Sequence, residues 1–473
     1  MSWLLARSLI PGALGIGLLI GLVIAGPAQA APTLGECDIG TKRPFRCGHI
    51  SVPNVRGAPE LGNRPIGFAL RPASDRSRPP RGTIVFVEGG PGYAATNFDS
   101  IRPVTAVFAP FLRRYDLLAI DQRGTGRSRP LNCPGLQRGR VSASKGLRAC
   151  AEQLGPLYQG YTTAESAADV EAVRQALGIE RSGMILYGDS YGTYLGQAYA
   201  ARYGQGMRGL ILSSAYPITG ESPFWPSLYP AARRAIRLAC IRFPECSGDA
   251  LGRFDRVLRQ AGTRSGFTQQ VLVFLMMSAS SYAPGSYRRL NRAVSAWLEG
   301  RPRRLRLMTD PGPPGSGPPG YFSEGMYAAV VCNDYQVPWD RSDPVTERRA
   351  ELRRRIKAFR PRDLFAPLSR ETWAMGPASG ISSCLPWPGP TSLMEPAIPP
   401  GQKMPAGLDT LVIAGEFDAI TTAYEARKTL RFFPRGRYYE ARNRGHASEL
   451  YFPFTSPATD RIRGFVSSVT RKG

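Results

Sequence analysis

The sequence predicts an α/β fold, in which a mostly parallel sheet is flanked by helices and interrupted by an inserted helical cap. Two observations carry this prediction. Short apolar runs that end in glycine-rich turns alternate with helical patterns, as expected for buried parallel strands joined by crossover helices. That alternation stops near residue 217 and resumes only near residue 408. The chain of 473 residues is long enough for one large core and a second substantial unit.

Five apolar runs predict strands of the sheet. The clearest helix between them, TTAESAADVEAVRQALG, opens with a capping box in which Thr162 precedes Glu165 by three residues, and it stops at Gly178. Because parallel strands end at one edge of such a sheet, functional groups are expected at their carboxyl ends. The runs are TIVFVEGGPG, YDLLAIDQRGTG, GMILYGDS, GLILSSA and TLVIAGEFD, which begin at Thr83, Tyr115, Gly183, Gly209 and Thr410.

The first 30 residues have the pattern of a signal peptide. Arg7 precedes a long apolar run, and the small-x-small sequence Ala28-Gln29-Ala30 predicts cleavage before Ala31. The same run is also long enough to remain as an anchor in a thin bilayer. The two alternatives are therefore a secreted protein and one held at the cell envelope.

Three further regions are expected after the signal peptide. The first part of the core covers residues 31–216, the helical cap covers residues 217–407, and the C-terminal part of the core covers residues 408–473. Two proline-rich stretches, PGPPGSGPPG at residues 311–320 and PWPGPTSLMEPAIPPGQKMP later in the cap, predict loops or linkers.

Eight cysteines in an exported chain predict disulfides rather than metal or redox chemistry. If each of the first six cysteines pairs with its neighbour in the sequence, the last two cysteines are left to pair with one another. Other pairings stay open. The pairs expected in this way are Cys37–Cys47, Cys133–Cys150, Cys240–Cys246 and Cys332–Cys384.

The net charge of +25 does not predict a nucleic-acid partner. Apart from one basic helix, RRAELRRRIKAFRPR, the arginines are dispersed rather than gathered on one reading surface. Attraction to an anionic cell envelope, or solubility alone, is the expected meaning of the charge. Two histidines, cysteines committed to disulfides and a sequence without a Walker loop predict neither a metal nor another cofactor.

Ser190 is the predicted nucleophile. Residues 188–192, GDSYG, match the G-x-S-x-G elbow, which alone is weak evidence because short glycine patterns arise by chance. Here an apolar strand, MILY, runs into the motif and a helical pattern, YGTYLGQAYAARYG, follows it. This is the strand–turn–helix setting of a nucleophile elbow, in which the two glycines let strand and helix approach closely.

A serine nucleophile needs a base, and the base needs an acid to orient it. His446 follows the last predicted strand and is the expected base, whereas His49 lies early, beside the first predicted strand, and is expected to be structural or exposed. Asp418 ends the strand TLVIAGEFD and is the expected acid, with Glu416 as its rival. The order serine, acid, histidine is that of the α/β-hydrolases, and the cap accounts for the long gap after Ser190.

Two hydrogen-bond donors are expected for the oxyanion of the tetrahedral intermediate. The backbone N–H of Tyr191 supplies one of them. The other is expected from the glycine-rich loop after TIVFV, where missing side chains let the backbone approach a substrate and where Gly90 and Tyr93 are the candidates.

These motifs together resemble the prolyl aminopeptidase and tripeptidyl aminopeptidase branch of the α/β-hydrolases. They are GGPG at residues 89–92, DQRGTGRSRPLNC at 121–133, YGDSYGTYLG, VVCNDY at 330–335, and AGEFDAITT followed by GH. Within that branch, the likeness is to the secreted actinobacterial type with a cap and a characteristic C-terminal segment. The resemblance implies an α/β-hydrolase fold and removal of N-terminal residues from peptides through an acyl-enzyme, with Ser190, Asp418 and His446 as the triad.

The chain departs from the family pattern beside the oxyanion loop. Glu88 stands where prolyl aminopeptidases usually have histidine before GGPG, the loop ends in Tyr93 rather than in a run of glycines, and GEFDAITT replaces the more usual GDLDTRTP. Related secreted members are described as carboxylesterases, so an esterase with the same triad is the main alternative. A catalytically silent envelope-binding protein is a distant one, because a silent descendant has no physical reason to keep all three triad residues.

An aminopeptidase also needs a carboxylate for the α-ammonium group of its substrate. The candidates are Asp334 in VCNDY, Glu324 in FSEGMY and Glu88 in the oxyanion loop. For the two cap residues the alternative is an ordinary salt bridge in an arginine-rich region. The expected function is therefore that of a secreted serine aminopeptidase with a peptide substrate, and the alternative is an esterase with a small ester substrate.

Overall fold

The computed structural model describes residues 32–41, 44–139, 141–243, 248–262, 267–310, 317–377 and 379–471. The predicted signal peptide, Cys246 and most of the proline-rich stretch at 311–320 lie outside these residues. In the described part of the chain, no helix is both long enough and apolar enough to cross a membrane.

One mixed sheet organises the described residues. Its strands are β1 (Gly35–Cys37), β2 (Phe45–Pro53), β3 (Asn63–Arg71), β4 (Thr83–Val87), β5 (Asp116–Ile120), β6 (Met184–Asp189), β7 (Gly209–Ser213), β8 (Thr410–Gly415) and β9 (Gly436–Ala441). They lie in the order β1-β2-β3-β5-β4-β6-β7-β8-β9. The first four strands in this order, β1, β2, β3 and β5, pair with one another in antiparallel fashion. From β5 onwards, through β4, β6, β7, β8 and β9, every pair of neighbours is parallel. The predicted α/β fold with a mostly parallel sheet is confirmed.

Helices connect and follow the strands. They are α1 (Phe98–Phe108), α2 (Pro134–Gln137), α3 (Ala143–Leu154), α4 (Thr163–Ala176), α5 (Tyr191–Tyr203), α6 (Leu228–Arg242), α7 (Ala250–Gln260), α8 (Gln269–Ser278), α9 (Gly285–Leu298), α10 (Arg303–Thr309), α11 (Glu324–Asp334), α12 (Val345–Ala358), α13 (Arg370–Ala374), α14 (Ala423–Leu430), α15 (Ser448–Tyr451) and α16 (Pro457–Thr470). Short 3₁₀ turns cover Pro59–Leu61, Gly155–Gly160, Arg181–Gly183, Ala279–Tyr282 and Ile381–Cys384.

The central strands are buried on both faces, which explains why they read as unbroken apolar runs rather than as alternating ones. Every residue of β4, β6, β7 and β8 is buried. Alternate side chains of β6 enter two different cores. Leu186 packs in a core that contains Leu195 of α5, whereas Tyr187 packs in a core that contains Ile101 of α1 and Phe465 of α16.

The segment between β7 and β8 contains helices α6 to α13 and a core of its own, in which Ile236, Phe254 and Leu290 take part. Two backbone hydrogen bonds hold it to the loops at the carboxyl ends of the strands. The N–H of Ser323 donates to the carbonyl oxygen of Gly92 at 2.9 Å, and the carbonyl oxygen of Ser280 accepts the N–H of His446 at 3.2 Å. The segment therefore borders the loops after β4 and β9.

Disulfides tie several of these elements together. The structure contains three of the four expected bonds, Cys37–Cys47, Cys133–Cys150 and Cys332–Cys384. Cys240 is disulfide-bonded as well, and its expected partner, Cys246, lies outside the described residues. The first bond joins β1 to β2, and the bond at Cys332 joins α11 to the 3₁₀ turn Ile381–Cys384.

Candidate active site

The turn between β6 and α5 presents Ser190 at the carboxyl edge of the sheet. Its φ angle of +49° lies in the left-handed region, which costs a non-glycine residue on the order of 1 kcal/mol or more. A Cβ on Gly188 would collide with the backbone of Gly192, and one on Gly192 would collide with the carbonyl oxygen of Val87. The motif therefore needs both glycines for packing reasons, and the strained turn has the geometry of a nucleophile elbow.

Asp418 and His446 meet at the same edge, after β8 and β9. Asp418 Oδ2 and His446 Nδ1 lie 2.9 Å apart, and both side chains are buried. Burial raises the pKa of the Asp418 carboxyl, but His446 and the N–H groups of Thr421 and Ile420 outweigh it and hold that pKa below its usual value. Burial lowers the pKa of His446, but the charge of Asp418 outweighs it and raises that pKa above its ordinary value.

Sequence order alone did not indicate Ser214, which links the three loops of the candidate triad. Its Oγ donates to Asp418 Oδ2 at 2.9 Å and accepts the N–H of Ala447, the residue after His446, at 2.7 Å. The preceding residue, Ser213, accepts the N–H of Ser190 on its carbonyl oxygen at 2.9 Å. The available signal was the pair of serines, Ser213 and Ser214, that follows the apolar run GLIL, although the sequence does not show which of the two is used.

The two rivals of the triad residues lie in other settings. Glu416 forms an ion pair with Arg242 at 2.6 Å and accepts the N–H of Asn443, so its carboxylate is engaged on a different side of the β8 loop. His49 is an exposed residue of β2, and three strands separate β2 from the nucleophile strand β6. The structure brings neither residue to Ser190.

The candidate oxyanion loop follows β4 and packs against Ser190. A Cβ on Gly89 would lie 2.8 Å from the Cβ of Ser190, and Gly90 has a φ of +110° that favours glycine. Tyr191 is the first residue of α5, so the helix ladder does not use its N–H. Tyr93 forms a β-bridge with Phe322, which fixes the end of the loop to the segment before α11.

Glu88 lies inside the fold, behind this loop. Its carboxyl accepts the N–H of Gly89 at 3.1 Å, and burial raises its pKa. Burial and the negative charge of Glu88 raise the pKa of Asp189 well above its usual range. This environment makes Glu88 a support for the oxyanion loop and a poor group for binding a substrate amine.

Asp334, at the end of α11, is linked through Thr163 to the side chain of Tyr191, the residue after Ser190. Its Oδ2 accepts both the N–H and the hydroxyl of Thr163 at 2.6 Å, and the Thr163 hydroxyl lies 2.9 Å from the phenol of Tyr191. Within the described residues no cation forms an ion pair with Asp334, because the guanidinium of Arg341 donates to the carbonyl oxygens of Cys332 and Tyr335 instead. Burial raises the pKa of Asp334 to about 6.

Glu324 lies at the opposite end of the same helix. Glu324 and Asp334 are ten positions apart, which corresponds to about 15 Å along the axis of α11, so the two carboxylates cannot bind one ammonium group together. The charge of Glu324 contributes to the raised pKa of Tyr93, which places it near the end of the oxyanion loop. In the residues that the structure describes, no group of His, Cys, Asp and Glu is arranged to hold a metal ion.

Comparison with known proteins agrees with this geometry. A family model described as the alpha/beta hydrolase fold matches residues 82–452, which is most of the chain. The chain belongs to the α/β-hydrolase family. The hydrolase is 28% identical over 221 residues to a tripeptidyl aminopeptidase of Streptomyces coelicolor, a match that covers 41% of this chain and 39% of that protein.

Two further similarities were found. The hydrolase is 29% identical over 186 residues to a proline iminopeptidase of Neisseria meningitidis, covering 39% of this chain and 44% of that protein. It therefore matches less than half of the length of these curated relatives. A solved esterase of Thermogutta terrifontis aligns with a TM-score of 0.40 and 16% identity, covering 89% of this chain and 99% of that one.

The pH dependence of the hydrolase is expected to report the pair of His446 and Asp418. His446 must be neutral to accept a proton from Ser190, so kcat/KM should fall as the pH drops through a value above 6.5. In Asp418→Asn the charge that raises the pKa of His446 is removed, while the burial that lowers this pKa remains. The acid limb of the profile should therefore move to lower pH, and kcat should fall by about 10⁴-fold. Profiles measured with a chromogenic ester would check this, and an unmoved acid limb in the variant would contradict the assignment.

Removing the hydroxyl of Ser214 is expected to impair catalysis without impairing binding. Since a hydrogen bond to a charged group is worth about 1.5–3 kcal/mol, kcat in Ser214→Ala should fall by about 10- to 100-fold with little change in KM. The less stabilised carboxylate of Asp418 should also hold the proton of His446 more tightly and move the acid limb to higher pH.

Ser213→Ala is the matched control for Ser214→Ala. Ser213 is equally buried at the end of the same strand, and its hydroxyl has no hydrogen-bond partner in the described residues. Its removal should leave the kinetics of the hydrolase close to those of the native chain. Equal losses in the two variants would show that the Ser214 effect is one of packing alone.

Proposed function

We propose that the hydrolase is a secreted serine aminopeptidase that removes N-terminal residues from peptides. The observation that carries the proposal is the carboxylate of Asp334, which is buried beside Tyr191 without an ion-pair partner in the described residues. A carboxylate in this position has the chemistry to bind the α-ammonium group of a peptide whose scissile bond lies at Ser190. The similarity to curated proteins named tripeptidyl aminopeptidase and proline iminopeptidase supports it.

In the proposed mechanism Ser190 attacks the scissile carbonyl while His446 takes its proton. Asp418 holds the imidazole in orientation and stabilises its charged form. The backbone N–H groups of Tyr191 and Gly90 donate to the oxyanion. His446 then returns the proton to the leaving amine, and water hydrolyses the acyl-enzyme by the same route in reverse.

Aromatic side chains line the surroundings of Asp334. The ring of Tyr194 lies 5.6 Å from that of Tyr216 and 5.5 Å from that of Tyr335, and the Tyr194 hydroxyl contacts the backbone oxygen of Asp334 at 3.5 Å. Aromatic faces attract cations, and they also pack against apolar residues such as proline. An N-terminal residue would therefore find both a charge partner and an apolar wall.

A carboxylesterase is the second candidate, because the same aromatic wall favours neutral acyl groups as well. Asp334 loses its charge below a pH of about 6, and no anion is then left beside the aromatic wall to select a free amine. A silent envelope-binding protein is disfavoured, because the bond between His446 and Asp418 keeps a base in working orientation.

Export forms part of the proposal. Disulfides such as Cys332–Cys384 are typical of proteins outside the cytosol, and the first 30 residues have the pattern of a signal peptide. The net charge of +25 would favour association with an anionic cell envelope.

Neutralising Asp334 tests the proposal. In Asp334→Asn we expect KM for peptides with a free amine to rise by about 10- to 100-fold, the loss expected for one charged hydrogen bond, while N-acetylated peptides and esters are unaffected. With the native chain, KM for free-amine peptides should rise about tenfold for each pH unit below 6, because Asp334 then becomes protonated. This dependence should vanish in the variant.

Two comparisons make the test specific. Glu324→Gln changes the other candidate carboxylate, at the far end of α11, and should leave KM unchanged. Ser190→Ala sets the background rate for every substrate. Equal cleavage of free and N-acetylated peptides by the native chain would refute the aminopeptidase, and turnover of esters alone would favour the esterase.

A further inference from the structure

Four half-exposed tyrosines lie on or beside the loops that carry the candidate site, and the mechanism above does not use their rings. They are Tyr93, Tyr282, Tyr321 and Tyr451, with 39%, 55%, 41% and 39% of their surface accessible. They come from the oxyanion loop, the turn after α8, the segment before α11, and α15. We call this group the tyrosine rim.

The rim consists of two pairs of tyrosine rings. The ring centroids of Tyr282 and Tyr451 lie 4.6 Å apart, and those of Tyr93 and Tyr321 lie 6.0 Å apart, both with edge-to-face geometry. The two pairs lie close enough for the charge of a phenolate in one pair to affect the pKa of a ring in the other. Burial raises the pKa of Tyr93 to about 12, with contributions from Tyr321 and Tyr282, and Tyr451 is likewise influenced by Tyr282 and Tyr93.

The rim lies on the side of the site where His446 is. Tyr282 is two residues after Ser280, whose carbonyl oxygen accepts the N–H of His446 at 3.2 Å. Tyr451 is five residues after His446, on the short helix α15. Tyr93 ends the oxyanion loop, and its contact with Tyr321 closes the rim on that side.

The acyl side of Ser190 lies elsewhere. The phenol of the next residue, Tyr191, contacts the hydroxyl of Thr163, which in turn donates to the carboxylate of Asp334. In the proposed function the N-terminal part of a substrate binds at Asp334. His446 must reach the leaving group to donate a proton to it, so the atoms of the leaving group lie next to His446. The rim is therefore on the leaving-group side of the scissile bond.

We propose that the tyrosine rim is the subsite for the leaving group, and that it selects a leaving residue with an aromatic ring. Exposed aromatic clusters at the mouth of a site mark ligand contacts, and edge-to-face pairs are favourable beyond the burial of their surface. The inference rests on the proposed function for the leaving group to be a peptide. The preference for a ring follows from the rim itself and applies to any leaving amine.

Acyl transfer isolates this subsite. A short-chain ester acylates Ser190 and releases its alcohol, after which either water or an added amine attacks the same acyl-enzyme. When an amine attacks, its nitrogen forms the new amide bond, the bond to Ser190 Oγ breaks, and the proton of the amine returns through His446 to that oxygen. By microscopic reversibility, the amine occupies the place of the leaving group.

The measurement is the ratio of amide product to hydrolysis product with phenylalaninamide, leucinamide or alaninamide as acceptor. We expect phenylalaninamide to be favoured about tenfold over alaninamide in the native chain, and leucinamide to lie between them. In Tyr282→Ala and in Tyr451→Ala the preference should fall to less than about threefold, whereas Tyr282→Phe should keep it. A product ratio does not depend on how much of a variant is folded.

Tyr424→Ala is the matched control. Tyr424 is 52% exposed on α14, where its ring contacts the ammonium group of Lys428. Its removal should leave the acceptor preference intact. A native chain that uses all acceptors equally, or that uses none at saturating concentration, overturns the proposal, and so does an undiminished preference in both alanine variants of the rim.

The outcome is separable from that of the proposed function. The ester donor carries no α-amine, so an acceptor preference can be measured even if free-amine peptides prove not to be substrates. Loss of aminopeptidase activity with a retained ring preference would refute the peptide assignment alone. Aminopeptidase activity without a ring preference would refute the subsite alone.

Discussion

The buried charge of Asp418 is the constraint on which the site depends. A carboxylate removed from water is unfavourable unless hydrogen bonds replace its hydration. Here the donors are the N–H groups of Ile420 and Thr421, the hydroxyls of Thr421 and Ser214, and the imidazole of His446. They come from the loops after β7, β8 and β9. The hydrogen bonds that stabilise this one charge therefore also fix the positions of three loops of the site.

A second constraint acts at the nucleophile. The turn at Ser190 requires two glycines because strand and helix pass too close for side chains, and Gly89 of the oxyanion loop faces the serine directly. Behind this loop, Glu88 and Asp189 are buried carboxyls, and burial raises the pKa of both. The charge of Glu88 is one of the causes that raise the pKa of His446, after that of Asp418.

Much of the fold could be predicted from sequence because the central strands are covered on both faces and read as apolar runs. Ser190, Asp418 and His446 could be chosen as candidates for a related reason, since each follows a predicted strand and parallel strands end at one edge of the sheet. Ser214, Thr163 and the tyrosine rim could not be predicted in this way. Their partners lie far away in sequence, as with Thr163 and Asp334, and only the folded chain brings them together.

The salt-bridge alternative for Asp334 illustrates the same limit. An arginine-rich cap makes an ion pair the default expectation for any carboxylate in it. Packing decides otherwise, because the backbone carbonyl oxygens of Cys332 and Tyr335 take the guanidinium of Arg341. Whether a carboxylate forms an ion pair depends on which cationic side chains reach it in the folded chain, and the composition of the segment does not determine this.

Labelling of the intact protein with a fluorophosphonate tests the central claim most directly. Such a reagent forms a bond to the oxygen of an activated serine and releases fluoride, and mass spectrometry of the digested protein locates the adduct. The account predicts one adduct, on the peptide that contains Ser190, absent in Ser190→Ala and formed far more slowly in His446→Gln. An adduct on another residue, or none on the native chain, would contradict it.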